Sequence, residues 1–336
     1  MNKNRKTADE IFGAFVASFE GHLREQLRAR VPGVSASIDE AIARLGREKR
    51  PVLKQAFVLA VADAIGKSIP RDRLGDRVIA YEEFVLSHFR VPGERMLFND
   101  VLYRIKTTDE IINPLRVFVS DKEFVKFFIK AMVGGEYNVP TYAVLESEAE
   151  VERYKFPPRC FIKATHGSAM MLIRREGEPV DTQPIKSWFR MNYYLKYREA
   201  NYRHLKAKVI VEPHIFDNMN APDYKFFCVN GTPRLAFVNV DSRFGKKRAF
   251  FDISWNRLNF GLGYPLPDTA IARPGNLQEM LEVAARLSSK FSFVRIDLYS
   301  DGSSCRVGEI TNCHAHASSR FLPAVAEEEA SRMLFH

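Results

Sequence analysis

Two carboxylates near the C-terminal end of the chain have the residue types and spacing of a metal site. Residues 293–299 alternate between polar and apolar side chains, which is typical of a strand with one buried face, and Asp297 lies on the more polar face. An Asp-Gly turn follows, and residues 305–311, which include Glu309, run back beside the first strand. The spacing therefore places both carboxylates on one face of a predicted hairpin.

The spacing alone allows two interpretations of this acidic pair. Mg²⁺ takes hard oxygen ligands, usually one or two carboxylates together with substrate phosphates, and Asp297 and Glu309 would supply the carboxylates. Alternatively, both carboxylates form surface salt bridges with Arg295 and Arg306 on the same two segments.

A lysine that precedes a small polar loop indicates a phosphate site. Lys163 ends an apolar strand-like run at 160–163, and the next residues are Ala-Thr-His-Gly-Ser-Ala. An ammonium group at a strand end and the N–H groups of such a loop can approach the same anion. The loop holds a single glycine, so an exposed strand-end lysine without a ligand is the alternative.

Three other polar segments have a similar ambiguity. A helical stretch begins at Asp121-Lys122, which by itself is typical of a solvated helix start. A basic loop follows a strand and fits either a solvated turn or a phosphate or carboxylate contact. Cys313, His314 and His316 form one short cluster with Cys305 as a distant fourth candidate, which favours a substrate-facing loop or an ordinary polar loop over a structural zinc site. The basic loop consists of Arg243, Lys246, Lys247 and Arg248.

Composition and motif searches exclude several classes of protein. The net charge of +9 is spread along the 336 residues, and no basic run is interleaved with aromatic residues as in a nucleic-acid groove. The excess charge indicates either a solvated surface or attraction to a polyanion or the inner face of a membrane. Four cysteines without C-x-x-C spacing and an N-terminus without an apolar signal core predict a cytoplasmic protein. Nucleophile-elbow, zinc-protease, Walker A and dinucleotide motifs are absent from the sequence.

Periodicity divides the chain into a helical region and an α+β region. Helical spacing recurs at 8–28, 51–67 and 81–90, with Ser37 as the cap of a further helix, so residues 1–92 form a helical extension without a chemical motif. Its helices are predicted to bind a partner protein, to self-associate or to extend the fold. From residue 93 to 336, strand-like runs alternate with turn signals such as Asn-Gly at 230–231, which predicts largely antiparallel sheets.

The order of these segments along residues 95–325 resembles the ATP-grasp superfamily, and specifically its TupA-like branch, which is associated with teichuronic acid biosynthesis. The resemblance implies an ATP-grasp fold with a lysine-bearing lid subdomain at 93–207 and a hinge and metal-binding subdomain at 208–325. The matching segments are 98–113, Ser-Asp-Lys at 120–122, Lys-Ala-Thr-His-Gly-Ser at 163–168, the aromatic residues from Trp188 to Tyr202, 209–212, 222–228, Asn-Gly at 230–231, 247–255, 293–299 and 308–311.

The resemblance implies a role for each candidate residue. ATP and Mg²⁺, with Mn²⁺ as an alternative metal, are the implied cofactors. The residues implied to contact ATP are Lys122, Lys163, His166, Gly167, Ser168, Val211 and Glu212. Those implied to face the transferred phosphate or the reacting carboxylate are Lys225, Arg243 and Arg248. The implied metal ligands are Asp297, Glu309 and Thr311, with Asn312 as a neighbouring candidate.

The sequence departs from the family pattern in two places. Ala169 stands where the family has the second glycine of the loop after Lys163, which is expected to stiffen the lid. Residues 313–316 replace the proline-glycine segment that follows the glutamate strand, which is expected to alter the acceptor pocket.

Three functions follow from the residues and the resemblance. The first is a ligase that activates a carboxylate as an acyl phosphate for attack by an amine, in the biosynthesis of a surface polysaccharide such as teichuronic acid, capsule or O-antigen. Its substrate would be a small molecule or polysaccharide precursor with an amino or carboxylate group. The alternatives are a glycosyltransferase of the same pathway that uses a sugar nucleotide, and a non-catalytic scaffold that binds ATP.

Overall fold

The computed structural model describes residues 69–217, 222–242 and 245–336 continuously, together with scattered positions between 13 and 56. The chain divides into two compact units, one of residues 1–108 with 315–320 and the other of residues 109–314 with 321–336. The helices predicted at 8–28 and 51–67, the Ser37 cap and Arg243 lie wholly or mostly outside the described residues. The predicted boundaries after residues 92 and 207 stay predictions.

The described part of the first unit is a pair of packed helices. Helix α1 (Arg73–His88) begins at Asp72, whose carboxylate accepts a hydrogen bond from the Gly75 N–H at 3.0 Å, and the chain leaves it in a left-handed conformation at the next residue. Helix α2 is Phe98–Thr107. Phe84 packs edge-on against Tyr103 across the pair, with 5.3 Å between ring centroids. The helix predicted at 81–90 is confirmed but begins earlier in the chain.

Residues 315–320 belong to the same unit and carry backbone strain. Three consecutive residues, Ala315, His316 and Ala317, have φ values of 47°, 57° and 64°. A left-handed conformation costs about 1–2 kcal/mol for a residue with a Cβ. Hydrogen bonds secure the segment: the Ala317 carbonyl lies 2.7 Å from His88 Nε2, and the Ser319 carbonyl accepts from the Asn99 amide at 3.1 Å.

The second unit contains a six-stranded antiparallel sheet, as the sequence predicted. Asn230 and Gly231 both have positive φ, as the two-residue hairpin turn at this position requires. The strand order is β11-β10-β5-β6-β7-β8. The strands are β5 (Asp223–Val229), β6 (Thr232–Ser242), β7 (Gly245–Asp252), β8 (Arg257–Leu258), β10 (Phe293–Ser300) and β11 (Cys305–Thr311), and β9 (Gly261–Leu262) pairs separately with β12 (Phe321–Leu322).

The two faces of this sheet are covered differently. One face packs a hydrophobic core of both aliphatic and aromatic residues against helices α8 (Leu277–Ser288) and α4 (Val125–Met132). The other face is aromatic at the end next to helix α9 (Ala326–Phe335), where the ring centroids of Phe293 and Phe335 are 6.3 Å apart. Towards the other end of the strands, the side chains on this face are charged. The aromatic residues buried on this second face are Phe227, Phe237, Phe250, Phe260 and Phe293.

A four-stranded antiparallel sheet with the order β1-β4-β2-β3 forms the rest of the second unit, together with short helices. Cys160, Ile162, Val209 and Val211 of this sheet pack on Ile185, Trp188 and Tyr193 of the helices. The strands are β1 (Ala143–Leu145), β2 (Cys160–Ala164), β3 (Met171–Arg174) and β4 (Val209–Pro213), and the helices are α3 (Pro114–Ser120), α5 (Glu148–Arg153), α6 (Thr182–Arg190) and α7 (Tyr193–Tyr197). The α+β class with largely antiparallel sheets is thus confirmed. Among the described residues, no helix is long and apolar enough to cross a bilayer.

The loop between β2 and β3 contains one left-handed residue that is not glycine. Its ends are fixed, because the Ala164 N–H donates to the Met170 carbonyl at 3.0 Å and the Thr165 N–H donates to the Lys208 carbonyl at 2.9 Å. Between them, Ala169 has a φ of 60°, a conformation in which glycine avoids the steric penalty of a Cβ. The departure at this position therefore stores strain in the loop.

We expect Ala169→Gly to raise the free energy of unfolding by about 0.5–1 kcal/mol, because the relieved strain exceeds the added chain entropy of glycine. The matched control is Ala131→Gly in the exposed part of α4, where glycine costs about 1 kcal/mol. Chemical denaturation of both variants measures the two changes. A loss of stability in Ala169→Gly as large as in the control would contradict this account of the loop.

Candidate active site

Three charged side chains form a row across the six-stranded sheet. Lys225 on β5 is the direct partner of Asp297 on β10, and Asp297 is the direct partner of Glu309 on β11. Directly opposite residues of antiparallel strands point to the same face, so the three side chains are neighbours. The predicted hairpin with both carboxylates on one face is confirmed.

Asp297 is buried and is held by two cations. Arg295 donates to both of its oxygens, at 2.6 and 2.7 Å, and Lys225 Nζ lies 3.0 Å from Oδ2. Burial alone would raise the pKa of Asp297, but Arg295 and Lys225 outweigh it and hold the pKa below its ordinary value. Glu309, whose side chain is 35% exposed, lies 3.5 Å from Arg295 and remains more open to the cleft.

The salt-bridge interpretation is therefore right about Arg295 as a partner, but wrong about the surface location and about Arg306. Arg295 pairs with the acidic residues, but the pairing is buried and not on the surface. Arg306 donates instead to the Cys305 carbonyl at 2.8 Å and lies over the Phe216 ring.

The donor set at this row fits a metal that arrives with phosphates. Thr311 lies opposite Arg295, two residues beyond Glu309, and its buried hydroxyl has no hydrogen-bond partner among the residues that the structure describes. Two carboxylates and a hydroxyl are oxygen ligands of the kind Mg²⁺ prefers, and Mg²⁺ usually completes its shell with water and phosphate. Within the described parts of the chain, no group of three or more acidic, histidine or cysteine side chains is placed to hold a metal by itself.

Asn312 lies apart from this donor set. Its amide nitrogen donates to the Arg116 carbonyl at 3.0 Å and to Ser120 Oγ at 3.1 Å, and its oxygen accepts from Arg116 Nη1 at 3.1 Å. These bonds tie the end of β11 to α3, so we leave Asn312 out of the proposed metal ligands.

A second charged group lies on the four-stranded sheet. Glu212 of β4 accepts hydrogen bonds from Lys126 at 2.6 Å and from Lys163 at 2.8 Å. Burial acts to raise the pKa of Glu212, but the two ammonium groups dominate and lower it. Lys163 thus has a carboxylate partner, and its ammonium is held at a fixed place beside that of Lys126.

Lys122 is placed beside the loop that follows Lys163. The Asp121 carboxylate accepts the N–H groups of Glu123 and Phe124 at 2.8 and 3.2 Å, and this turn leads into α4. The Lys122 N–H donates to the Thr165 carbonyl at 3.2 Å, and its ammonium donates to the Gly167 carbonyl. Burial lowers the pKa of Lys122, with nearby Lys163 acting in the same direction and Glu309 against it.

These groups line one cleft of about 470 Å³ within the second unit. Six basic and four acidic side chains face it, which leaves two positive charges in excess. Such a cleft attracts a multiply charged anion. The charged lining residues are Lys122, Lys126, Lys163, Lys225, Lys246, Arg295, Glu212, Asp223, Asp297 and Glu309, and Ser168 to Met171 and Tyr299 are also part of the wall.

Three residues assigned to ATP by resemblance do not line this cleft. His166 is buried and bonds through Nε2 to the Trp188 carbonyl at 3.1 Å, and burial lowers its pKa, which favours the neutral ring. Gly167 packs so closely on Tyr193 that a Cβ would lie 2.7 Å from its ring. Val211 is buried in the core, and its carbonyl accepts the Tyr142 N–H at 2.8 Å. These residues shape the loop and the sheet around the cleft.

Arg248 is buried next to the charged row. It lies between the rings of Phe237 and Tyr264, at 4.5 and 5.0 Å from their centroids. Burial lowers its pKa to about 10, and the charge of Arg295 acts in the same direction. Of the three basic residues assigned to the reacting groups, the structure brings Lys225 and Arg248 to this part of the sheet.

Sequence reasoning missed four residues of this site. Lys126 follows Lys122 by four positions, a spacing that places two side chains on one face of a helix, so the predicted helical stretch could have indicated it. Asp223 lies two residues before Lys225 and pairs with it, and burial raises the pKa of Asp223. Arg295 was considered only as a surface partner, and His314 only as part of a loop. The contacts of both depend on distant segments that spacing does not reveal.

We expect Glu212→Gln to lower the free energy of unfolding by about 3 kcal/mol at neutral pH, because it leaves two partly buried ammonium groups without their counter-ion. The pKa of Glu212 is lowered in the folded state, so this stabilisation is present above the unfolded pKa of about 4.3. It is lost as the pH falls through the folded pKa.

Urea denaturation of both proteins from pH 7 to pH 3 measures the difference. Glu148→Gln, which breaks the exposed pair with Arg190, serves as the control and should show no comparable loss. A difference between wild type and Glu212→Gln that grows towards acid pH would contradict the assignment.

Comparison with known proteins identifies the family to which this chain belongs. A sequence profile of the family described as TupA-like ATPgrasp matches residues 102–331. None of the curated proteins compared with the chain matches it.

Several solved structures are similar over part of the chain. D-alanine–D-alanine ligase from Bacillus anthracis is 16% identical with a TM-score of 0.38, and the match covers 64% of this chain and 65% of that one. The enzyme of the same name from Helicobacter pylori is 12% identical, with a TM-score of 0.36 and coverages of 66% and 60%. The ATP-grasp ligase PsnB, complexed with a minimal precursor, is 12% identical, with a TM-score of 0.33 and coverages of 63% and 60%.

The match thus spans less than two thirds of each of these three proteins, and scores this low carry no argument about function. The family profile, by contrast, covers more than half of the 336 residues and includes every described side chain of the charged row. The chain therefore belongs to the TupA-like ATP-grasp family.

Proposed function

We propose that this protein is an ATP- and magnesium-dependent ligase that activates a carboxylate as an acyl phosphate and joins it to an amine. The observation that supports this most directly is the row of Lys225, Asp297 and Glu309. This row lines the same cleft as Lys126 and Lys163, the two lysines that bind Glu212. The row supplies metal-binding oxygens beside cations, which is what transfer of a phosphoryl group from nucleotide to substrate needs.

The nucleotide phosphates would lie between the two charged groups. Lys122, Lys126 and Lys163 would contact phosphate oxygens from one side, and Lys225 from the other. Glu212 keeps Lys126 and Lys163 in position before the nucleotide binds, so little side-chain entropy is lost on binding. Asp297, Glu309 and Thr311 would hold Mg²⁺, or Mn²⁺ in its place, which would neutralise the charge that develops on the transferred phosphoryl group.

The substrate carboxylate would bind near Arg248 and Lys225. Two positive charges remain in excess in the cleft, and Mg·ATP carries about two negative charges, so Arg248 remains available for another anion. One carboxylate oxygen would form a bond to the γ-phosphorus while the bond to the bridging oxygen breaks and ADP leaves. The amine nitrogen would then attack the carbonyl carbon, the C–O bond to phosphate would break, and the amine would release a proton to phosphate or water.

The loop of residues 165–170 would exclude water from the acyl phosphate. It is fixed at both ends by backbone hydrogen bonds, and Ser168 and Ala169 are its exposed residues. A loop held in this way can close over a ligand without changing the sheet that carries it.

We further propose that the protein is cytoplasmic and acts on a small-molecule or polysaccharide precursor of the cell surface. The same proposal includes peripheral attachment to the membrane. It also includes self-association or partner binding through the N-terminal helices.

The decisive experiment is a screen for ADP release with amino acids and uronic-acid sugars, in the presence of ATP and Mg²⁺. We expect release to require both co-substrates and to fall roughly 100-fold or more in Lys163→Ala and Asp297→Asn, because each change removes charge stabilisation from the transfer step. Lys206→Ala, which breaks an exposed pair with Glu146, is the control and should retain activity.

Two results, one from thermal-shift binding and one from the screen combined with a binding measurement, would contradict the proposal. Stabilisation of the protein by a UDP-sugar and not by Mg·ATP would indicate the glycosyltransferase. Binding of Mg·ATP without ADP release for any acceptor would indicate the scaffold protein. Full turnover by a folded Asp297→Asn variant would reject the metal assignment alone.

We expect Mg²⁺ to bind measurably only together with nucleotide. In the free protein both oxygens of Asp297 are occupied by Arg295 and Lys225, so a metal has to compete with two cations, whereas ATP supplies additional oxygen ligands. Calorimetric titration with MgCl₂ alone, and then in the presence of ADP, measures this. Glu309→Gln should reduce the effect of Mg²⁺ on ADP binding and leave metal-free ADP binding unchanged; tight Mg²⁺ binding to the free protein would contradict the expectation.

A further inference from the structure

The Asp223 carboxylate has capacity for a hydrogen bond from a molecule in the cleft. Asp223 begins β5 as the direct partner of Tyr299 on β10 and precedes Lys225 by two residues, so its side chain lies on the face of the charged row. This side chain is 34% exposed and lines the cleft. Oδ2 pairs with Lys225, whereas Oδ1 is buried and has no hydrogen-bond partner among the described residues. Rotation about χ2, which is soft in aspartate, can turn the free oxygen to a donor in the cleft.

Lys246 supplies a positive charge to the same cleft. It lies on β7 two residues before Arg248, and therefore on the same face of the sheet, and it is exposed. Its ammonium forms no ion pair or hydrogen bond with the residues that the structure describes. The next residue, Lys247, turns to the opposite face and pairs with Asp268 at 2.7 Å. Lys246 is thus available to an anionic group that enters the cleft.

The register of three adjacent strands gives the separation of these two groups. Lys225 of β5 is opposite Phe237 of β6, which is opposite Phe250 of β7. Counting back from this row by two residues to Asp223 and by four to Lys246 keeps both side chains on the face of Lys225. Their Cα atoms are therefore about 12 Å apart, from about 10 Å across two strand spacings and about 7 Å along the strands. The two side chains span part of this distance, so the space between their charges suits a small molecule with a cationic and an anionic end.

The charge of the cleft also favours an amine co-substrate without net charge. The lining has two positive charges in excess, with Asp223 and Lys246 included, and Mg·ATP carries about two negative charges. Arg248 is left for the carboxylate that becomes activated. An amine without a carboxylate would bring an uncompensated ammonium charge into this cleft, whereas the zwitterion of an amino acid brings none.

We propose that the amine co-substrate is an α-amino acid, whose ammonium group is bound by Asp223 and whose carboxylate is bound by Lys246. The inference rests on the ligase function proposed above and specifies its nucleophile. The carboxylate bound by Lys246 is not the one that is activated. Asp223 is paired with Lys225, which would face the reacting carboxylate, so the nitrogen of the amino acid is held near the acyl phosphate.

The proton balance of the joining step follows from this arrangement. The ammonium group loses one proton to water, and the neutral nitrogen keeps its hydrogen bond to Asp223, because a carboxylate accepts from either form. The nitrogen forms a bond to the carbonyl carbon, the C–O bond to phosphate breaks, and the second proton goes to phosphate or water. The product is an amide in which the carboxylate of the amino acid is still bound by Lys246.

Three probes that each contain one methylene group test this pair. They are glycine, glycinamide, in which an amide replaces the carboxylate, and glycolate, in which a hydroxyl replaces the ammonium group. Each is titrated into the Mg·ADP complex of the full chain, and saturation-transfer NMR of the methylene protons measures its affinity. We expect wild type to bind glycine roughly tenfold more tightly than glycolate and roughly threefold more tightly than glycinamide, because Asp223 is the less exposed of the two partners.

Two variants separate recognition of the amino acid from a structural role. Lys246→Gln should lower the affinity for glycine about threefold without weakening glycinamide. Asp223→Asn should lower the affinities for glycine and glycinamide about tenfold without weakening glycolate. A structural role would weaken all three probes alike. The controls are Lys247→Gln and Asp268→Asn, which remove the same charges from a pair that does not line the cleft and should change no affinity.

Four results would overturn the proposal: no binding of glycine to the wild-type Mg·ADP complex, equal wild-type affinities for glycine and either analogue, an equal loss for all three probes in both variants, or a loss in Lys247→Gln as large as in Lys246→Gln. Thermal unfolding shows whether Asp223→Asn folds. Lys246→Gln changes an exposed residue, so its ratio of glycine to glycinamide affinity decides even without the other variant. Failure of the wild-type protein to bind Mg·ADP would instead reject the proposed ligase function, so the two failures are distinguishable.

Discussion

The buried carboxylate of Asp297 is the constraint on which the rest of the site depends. An ionised group removed from water is stable only if cations and hydrogen bonds replace its hydration, and Arg295 and Lys225 do this from both sides. Strand register determines their positions, because Lys225, Asp297 and Glu309 are direct partners on three neighbouring strands. A shift of one residue in any of these strands would turn its charged side chain to the opposite face, against the hydrophobic core.

The same pairing explains how the site can be ready for an anion before one binds. The cations that hold Asp297 are preorganised, and a bound metal with its phosphates would replace them as partners of the carboxylate. Released from Asp297, Lys225 and Arg295 would remain next to the phosphates and the substrate. The aromatic half of the sheet supports this exchange, since Phe227 and Phe237 adjoin the charged half and reduce the access of water.

The sequence was sufficient to predict the parts of this site that depend on local pattern. Alternation over 293–299 and the Asp-Gly turn identify the β10–β11 hairpin, and Asn230-Gly231 identifies the β5–β6 hairpin, because strand periodicity and turn chemistry are short-range properties. The charged row could not be derived in this way, since the pairing of β5 with β10 joins segments about seventy residues apart. Glu212 was assigned to ATP by resemblance, whereas its two lysine partners come from distant segments.

Polar residues in loops were the least predictable. Asn312 and His314 lie two positions apart, yet one bonds to α3 and the other lies between two arginines. Which partners these two side chains contact depends on the path of the backbone. That path includes the three left-handed residues at 315–317, which no sequence rule for alanine or histidine would predict.

The most direct test of this account is a crystal structure with Mn²⁺ and a non-hydrolysable ATP analogue, with the metal located by its anomalous signal. We expect the metal between Asp297 and Glu309, the phosphates against Lys122, Lys126 and Lys163, and Arg295 moved away from at least one oxygen of Asp297. A nucleotide bound outside the cleft, or a metal held by the phosphates alone while Arg295 and Lys225 still bind Asp297, would contradict the central claim.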